Sequence, residues 1–315
     1  MRRSHIITLL TDFGNQDAYV GIMKGVIGGI NPSANIIDIC HTIPPYDLLN
    51  GAYLLSASYQ YFPKGTIHVA VVDPGVGSRR DIICVAIRDY LFLVPNNGIL
   101  SFIVPEEKPK NIIRVTNTKF FLPSPGNTFH GRDIFAPVAA HLSLGIKPQQ
   151  LGAKINQLEH LDLPQPEQKK TGQMEGRVIY IDRFGNLITN ITQSHIEQHI
   201  INQSQSITCR DKITSPILHS RKKAMKGKHA KQSSLFHLLF GEKETARKYV
   251  IETTLGKKKI MGLSKTYMDV KPGEPLVLFG STDFLEISIN QGNAQKYFKV
   301  DQGGKVLIRC NSGFN

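Results

Sequence analysis

Apolar residues in this chain gather in short runs rich in Val and Ile, separated by stretches in which they recur three and four positions apart. The runs Ile6–Thr11, Ile36–Cys40, Thr66–Val72, Ile82–Ile87, Leu91–Val94 and Ile112–Val115 predict strands. They are apolar almost throughout, as strands covered on both faces are. Between them, Tyr19–Ile30, Asn50–Tyr61 and Asp133–Leu144 carry helical spacing. His41–Tyr46 (HTIPPY) is stiffened by two prolines and cannot be helical at its centre, and Pro95–Gly98 (PNNG) is a turn. Strands alternating with helices predict an α/β unit built on a mainly parallel sheet.

The pattern changes at Asp162–Gly172 (DLPQPEQKKTG), which is polar, Pro-rich and without period. Beyond it the predicted strands are short and joined by turns: Gly176–Asp182, Leu187–Ile191, Pro275–Phe279, Phe284–Ile289 and Lys305–Arg309. Such a succession predicts a small β domain. The organisation expected is an α/β domain over 1–162, a linker over 163–175, and a smaller β-barrel-like domain over 176–315 with a basic insertion at about 205–258.

Charge sharpens this picture. The formal net charge is +13, but Arg210–Lys259 alone holds 14 Lys and Arg against 4 Asp and Glu, which leaves +3 for the other 265 residues. Basicity therefore belongs to one segment. Its core, Ser220–Lys231, has no apolar face and no interleaved aromatics, so it reads as a solvated excursion and argues against a nucleic-acid partner. Leu235–Phe240 has the spacing of a helical turn. No apolar run approaches the roughly 20 residues of a membrane span, and the start lacks the core and cleavage site of a signal peptide. Cys40, Cys84, Cys209 and Cys310 are far apart with no Cys-x-x-Cys pair, as reduced thiols of a cytoplasmic protein would be.

Candidate chemistry sits where apolar runs end. Val69–Val72 stops at Asp73, and Pro74, Gly75 and Gly77 turn the chain before Arg79 and Arg80. Ligands of open α/β sheets bind beyond the carboxyl ends of strands, so Asp73 and a guanidinium would share that lip. Asp12 ends the first run in the same way, with Asp17 in the loop after it.

Six separated pieces together resemble one family. TDFGNQD (11–17), PPYD (44–47), VVDPGVGSRR (71–80), FHGRD (129–133), IDRFGNLITNI (181–191) and LFGSTDFLEISINQGNA (278–294) are similar to motifs of the adenosine-forming S-adenosyl-L-methionine hydrolases, relatives of the fluorinases and chlorinases. The resemblance implies in-line attack of water on carbon 5′ of the ribose, with Asp73, Arg80 and His130 as the catalytic residues. It implies Asp12 on the ribose hydroxyls and Tyr46 as an aromatic wall. Asn186, Ser281, Glu286 and the backbone of Ile289 would be substrate contacts in the second domain, with Asp17 and Asp182 near the methionine end. It further implies no metal and no cofactor, adenosine as a product, and a homotrimer with sites between subunits. Between Thr192 and Gly262 the chain departs from the family pattern, and adenine contacts there are left unassigned.

Alternatives follow from the same residues. The halogenases hold an aromatic residue where Asp73 stands, and a carboxylate would repel a halide. A divalent-metal phosphohydrolase on Asp12, Asp17, Asp73 and His130 would have Arg80 and Arg132 opposing its metal. With Arg80 beside it, Asp73 is expected to have a lowered pKa, and so to orient water more than to accept its proton.

Overall fold

The computed structural model describes residues 5–208 and 249–312, in two units that divide between Leu163 and Pro164. In the first unit the sheet order is β2-β1-β3-β5-β4-β6-β7. Its strands are β1 (Ile6–Thr11), β2 (Asn35–Cys40), β3 (Ile67–Val71), β4 (Ile82–Ile87), β5 (Tyr90–Pro95), β6 (Asn111–Arg114) and β7 (Lys154–Ile155). Its helices are α1 (Tyr19–Ile30), α2 (Leu48–Ser58) and α3 (Ala136–Ser143).

Apolar runs without alternation arise because both faces are covered. Ile7, Leu9, Val69, Val71 and Leu93 share one core with Met23 and Ile27 of α1 and Val138 of α3. Leu10, Ala70, Val72, Phe92 and Val94 share the other with Ala52 and Leu55 of α2. Successive residues of one strand thus serve opposite layers.

The sheet is mixed, which corrects the expectation of a mainly parallel one. The β2–β1, β1–β3 and β3–β5 pairs are parallel, whereas β5–β4, β4–β6 and β6–β7 are antiparallel. Only Arg88 and Asp89 separate β4 from β5, with Arg88 at φ 49°. Two residues can close a hairpin but cannot carry a parallel crossover.

The second unit is an antiparallel, nearly closed barrel. Its strands are β8 (Glu167–Gln168), β9 (Met174–Ile181), β10 (Leu187–Thr192), β11 (Tyr249–Leu255), β12 (Lys258–Met261), β13 (Pro275–Phe279), β14 (Phe284–Ile289) and β15 (Lys305–Ser312). They follow the order β12-β11-β15-β9-β10-β14-β13, with β8 on the side of β9. The Ser264 N–H donates to the Val277 carbonyl at 2.7 Å, drawing the chain after β12 onto β13. Met174, Val178, Leu187, Ile287, Val306 and Ile308 fill the interior.

Helix α4 (Gln193–Thr208) follows β10. Two expected boundaries differ. The segment read as a linker carries β8 and the start of β9, and the stretch read as insertion up to 258 contains β11. There Ile251, Thr253 and Leu255 alternate inward, a period masked in the sequence by neighbouring lysines. Ser220–Lys231, Leu235–Phe240 and Cys209 lie outside the described residues. Among the described residues no helix is long and apolar enough to cross a membrane.

Candidate active site

Strand β3 delivers Asp73 two residues past its end. Its carboxylate Oδ1 accepts the Gly75 N–H at 3.2 Å, and the Val76 N–H returns to the Asp73 carbonyl at 3.3 Å. This tight turn brings Arg80 back, so that its Nη2 contacts Asp73 Oδ2. Both side chains are withdrawn from solvent, 4% exposed for Asp73 and 10% for Arg80. Gly77 makes the return possible. It adopts φ +76°, and a Cβ there would lie 2.7 Å from the Asn127 carbonyl. That close approach seats the loop bearing His130 against the loop bearing Asp73.

His130 immediately precedes a π-turn, Gly131–Phe135, that runs into α3. Single π-turns re-aim side chains and recur at functional sites. Gly131 has no room for a side chain, because a Cβ would meet the Phe129 ring at 2.9 Å and Met23 Sδ at 3.2 Å. Phe13, Tyr19 and Phe129 form an aromatic cluster beside this turn, with ring centroids 5.1–5.9 Å apart. Arg132 is turned onto Asp133 at 2.6 Å.

The electrostatics differ from the sequence expectation for Asp73. Burial pushes its carboxyl above the usual aspartate range, and that push exceeds the opposing pull of Arg80, the Gly75 N–H and His130. Arg80 alone was visible in the sequence; the loss of water around the pair was not. Burial, and then the Arg80 charge, lower the pKa of His130, so its ring is neutral near pH 7. Arg80 Nε and His130 Nδ1 are buried with no hydrogen-bond partner among the described residues. Buried polar atoms of this kind call for a small polar occupant.

Asp12 stands one residue past β1. Its Oδ2 accepts the Tyr46 N–H at 2.8 Å, and Tyr46 is held at φ 67° and is 70% exposed. A left-handed tyrosine costs backbone strain, and the Asp12 bond fixes it there. His41 joins the two loops, with Nδ1 2.8 Å from Thr11 Oγ1 and its carbonyl accepting the Gly14 N–H at 2.7 Å. Asp17 is exposed in the loop that follows.

The remaining candidates lie in the barrel unit. Asp182 Oδ1 accepts the N–H groups of Phe184 and Asn186, and its Oδ2 accepts Asn186 Nδ2 at 2.8 Å. Asp182 is thus committed to shaping the turn that presents Asn186, while Phe184 in the same turn is 73% exposed. Glu286 on β14 is buried, with Oε1 accepting from Tyr267 Oη at 2.6 Å and Ser288 Oγ at 2.7 Å. Burial, and then the Glu286 bond, raise the Tyr267 phenol. Ser281 is exposed in the β13–β14 turn. The Ile289 side chain belongs to the core, and its carbonyl accepts the Gly292 N–H at 3.0 Å.

Asp73, Arg80 and His130 are therefore brought together. Asp12 and Tyr46 form a second pairing at the same end of the sheet, and Asp182, Asn186, Glu286 and Ser281 belong to the other unit. Tyr267 went unread in the sequence, where YMD offers no pattern that links it to Glu286. Among the described residues no three His, Cys, Asp or Glu side chains converge to hold a metal, and the Asp73 carboxylate faces a guanidinium instead.

Comparison with known proteins adds an independent finding. Residues 7–152 match the model of the SAM hydroxide adenosyltransferase N-terminal domain, and residues 176–229 and 237–307 match that of its C-terminal domain. A protein of Methanocaldococcus jannaschii named (R)-S-adenosyl-L-methionine hydrolase is 41% identical over 196 residues, covering 61% of this chain and 68% of the relative. A Thermus thermophilus protein of the same name is 28% identical over 311 residues, 96% of this chain and 98% of the relative. A fluorinase of an Actinoplanes species is 27% identical over 219 residues, 61% of this chain and 74% of the relative. The crystal structure of an uncharacterized conserved protein from Thermotoga maritima superposes with a TM-score of 0.76 at 31% identity, covering 96% of this chain and 99% of that one.

Proposed function

The chain belongs to the SAM hydroxide adenosyltransferase family, and from that premise we propose that it hydrolyses S-adenosyl-L-methionine to adenosine and L-methionine. The observation that carries this reading is the buried Asp73–Arg80 pair with two unpartnered polar atoms, Arg80 Nε and His130 Nδ1, beside it. A water held among these groups has donors and acceptors on several sides.

The sulfonium makes ribose carbon 5′ electrophilic and gives neutral methionine as leaving group. The water oxygen forms the new bond to carbon 5′ as the carbon–sulfur bond breaks, and its surplus proton passes to Asp73. Positioning of this kind supplies up to roughly 7–11 kcal/mol in well-oriented cases. A carboxyl whose pKa is raised by burial is a better proton acceptor than an ordinary aspartate, so Asp73 both orients the water and takes its proton. Neutral His130 can accept from or donate to the same water. Asp12, with Oδ2 engaged by Tyr46, offers Oδ1 to the ribose hydroxyls, and the exposed Tyr46 ring offers an apolar wall.

Asn186, Glu286 and Ser281 serve as substrate contacts of the barrel unit, and Asp182 acts through Asn186. The assembly we infer is a homotrimer, with each site drawing one unit from each of two neighbouring chains, in a cytoplasmic protein that needs neither metal nor cofactor. Transfer to a halide is disfavoured here by the carboxylate of Asp73.

The test is chromatography of purified protein incubated with both sulfonium epimers, since the relatives' names specify the (R) form. Adenosine and methionine in equal amounts are expected, with chloride present or absent and with EDTA present or absent. Unchanged substrate, or 5′-chloro-adenosine in chloride, overturns the reading.

A further inference from the structure

The Pro95–Gly98 turn at the end of β5 has no part in the reaction as described, yet it bonds the main chain on either side of the Asp73–Arg80 pair. The β3–β5 ladder ends at Val69 opposite Leu93, before the β3 run itself reaches Val72 and Asp73. Asn97 takes over there: its Nδ2 donates to the carbonyl of Val72, the residue before Asp73, at 2.9 Å. Its Oδ1 accepts the Ile99 N–H at 3.3 Å, which orients the amide. On the other arm, the Asn96 N–H donates to the Asp81 carbonyl at 2.8 Å. The Arg80 Nη1 donates to that same carbonyl at 3.3 Å.

The turn is itself held rigidly. Gly98 adopts φ +92°, and a Cβ there would lie 2.6 Å from the Leu161 nitrogen. The Ser101 side chain accepts the Leu161 N–H at 2.8 Å, and Asn96 Oδ1 accepts the Glu159 N–H at 2.9 Å. Two adjacent asparagines thus tie the main chain on either side of a buried ion pair to one fixed turn.

We propose that Asn97 is a positioning residue for the reaction, setting the Asp73 carboxylate against Arg80 through the Val72 carbonyl, with Asn96 bracing the Arg80 side through Asp81. This rests on the reading of Asp73 as the group that orients water and accepts its proton. Asn97 touches neither partner and no reacting atom. A shift of about 1 Å in a reacting group costs on the order of 10²-fold in rate, so its loss should be felt in turnover more than in binding.

The test compares the full-length wild type with Asn97→Ala and Asn97→Ser. Serine keeps a turn-compatible polar residue but is too short to reach the Val72 carbonyl, and so guards against a failure of the alanine variant to fold. Per folded molecule, kcat is expected to fall roughly 10- to 100-fold with KM changed less than about threefold, and the acid limb of the kcat profile should move. Wild-type kcat per folded molecule, a loss carried by KM, or an unmoved acid limb overturns the proposal. A crystal structure of Asn97→Ser gives a readout independent of activity: the Asp73 carboxylate should be displaced from its wild-type place against Arg80, and an unmoved pair refutes the inference. A wild type inactive on S-adenosyl-L-methionine would instead refute the hydrolase reading, and the crystal comparison would still decide the role of Asn97.

Discussion

At the scale of single residues, the protonation of Asp73 decides the chemistry. Its carboxyl is pushed above the ordinary aspartate value by burial, and only the deprotonated form can take a proton from water. The rate should therefore fall as pH drops through a midpoint above about 3.9, and the acid limb of kcat/KM should report that midpoint. His130, whose pKa burial and the Arg80 charge lower, is neutral near pH 7 and adds no charge change there. Replacing Asp73 by Asn should slow turnover by roughly 10²–10⁴ and abolish the acid limb. A near-wild-type rate in that variant would assign the proton to another group. The position of Asp73 was legible in the sequence, since an apolar run ending in Asp-Pro-Gly puts the side chain just beyond the carboxyl end of a strand. Its protonation was not, because the sequence shows the neighbouring arginine but not the water that folding removes.

At the scale of elements, the strands between two helical layers were easy to read and their directions were not. Runs such as Val69–Val72 are apolar on both faces, a signal no loop imitates, whereas the antiparallel half of the sheet turns on the brevity of Arg88–Asp89. β11 was hidden because a local excess of lysine overwhelmed its alternation, and β7 and β8, two residues each, have no period at all. The loops that close the site depend on glycine where backbone meets backbone. Gly77→Ala should cost about 1–2 kcal/mol for its left-handed conformation alone, and more because Asn127 occupies the Cβ position. Denaturant unfolding measures the first effect. Turnover measured on the folded fraction should fall as the His130 loop is pushed from Asp73, and an unchanged rate would show that the two loops need not touch.

At the scale of the whole molecule, the candidate residues are shared between two units, each with its own core, dividing at Leu163 and Pro164. Asp12, Tyr46, Asp73, Arg80 and His130 belong to one; Asn186, Glu286 and Ser281 belong to the other. In a homotrimer whose pockets each combine units from two chains, damage to one unit can be made good by a neighbour. If Asp73→Asn and Asn186→Ala chains are each far slower than wild type alone, they should reach about a quarter of wild-type activity when unfolded together in equal amounts and refolded, because random assembly pairs undamaged halves in that share of pockets. Pockets built within one chain would regain nothing. A division of labour along the polypeptide would thus show itself as intersubunit complementation, rescue of two dead proteins by mixing.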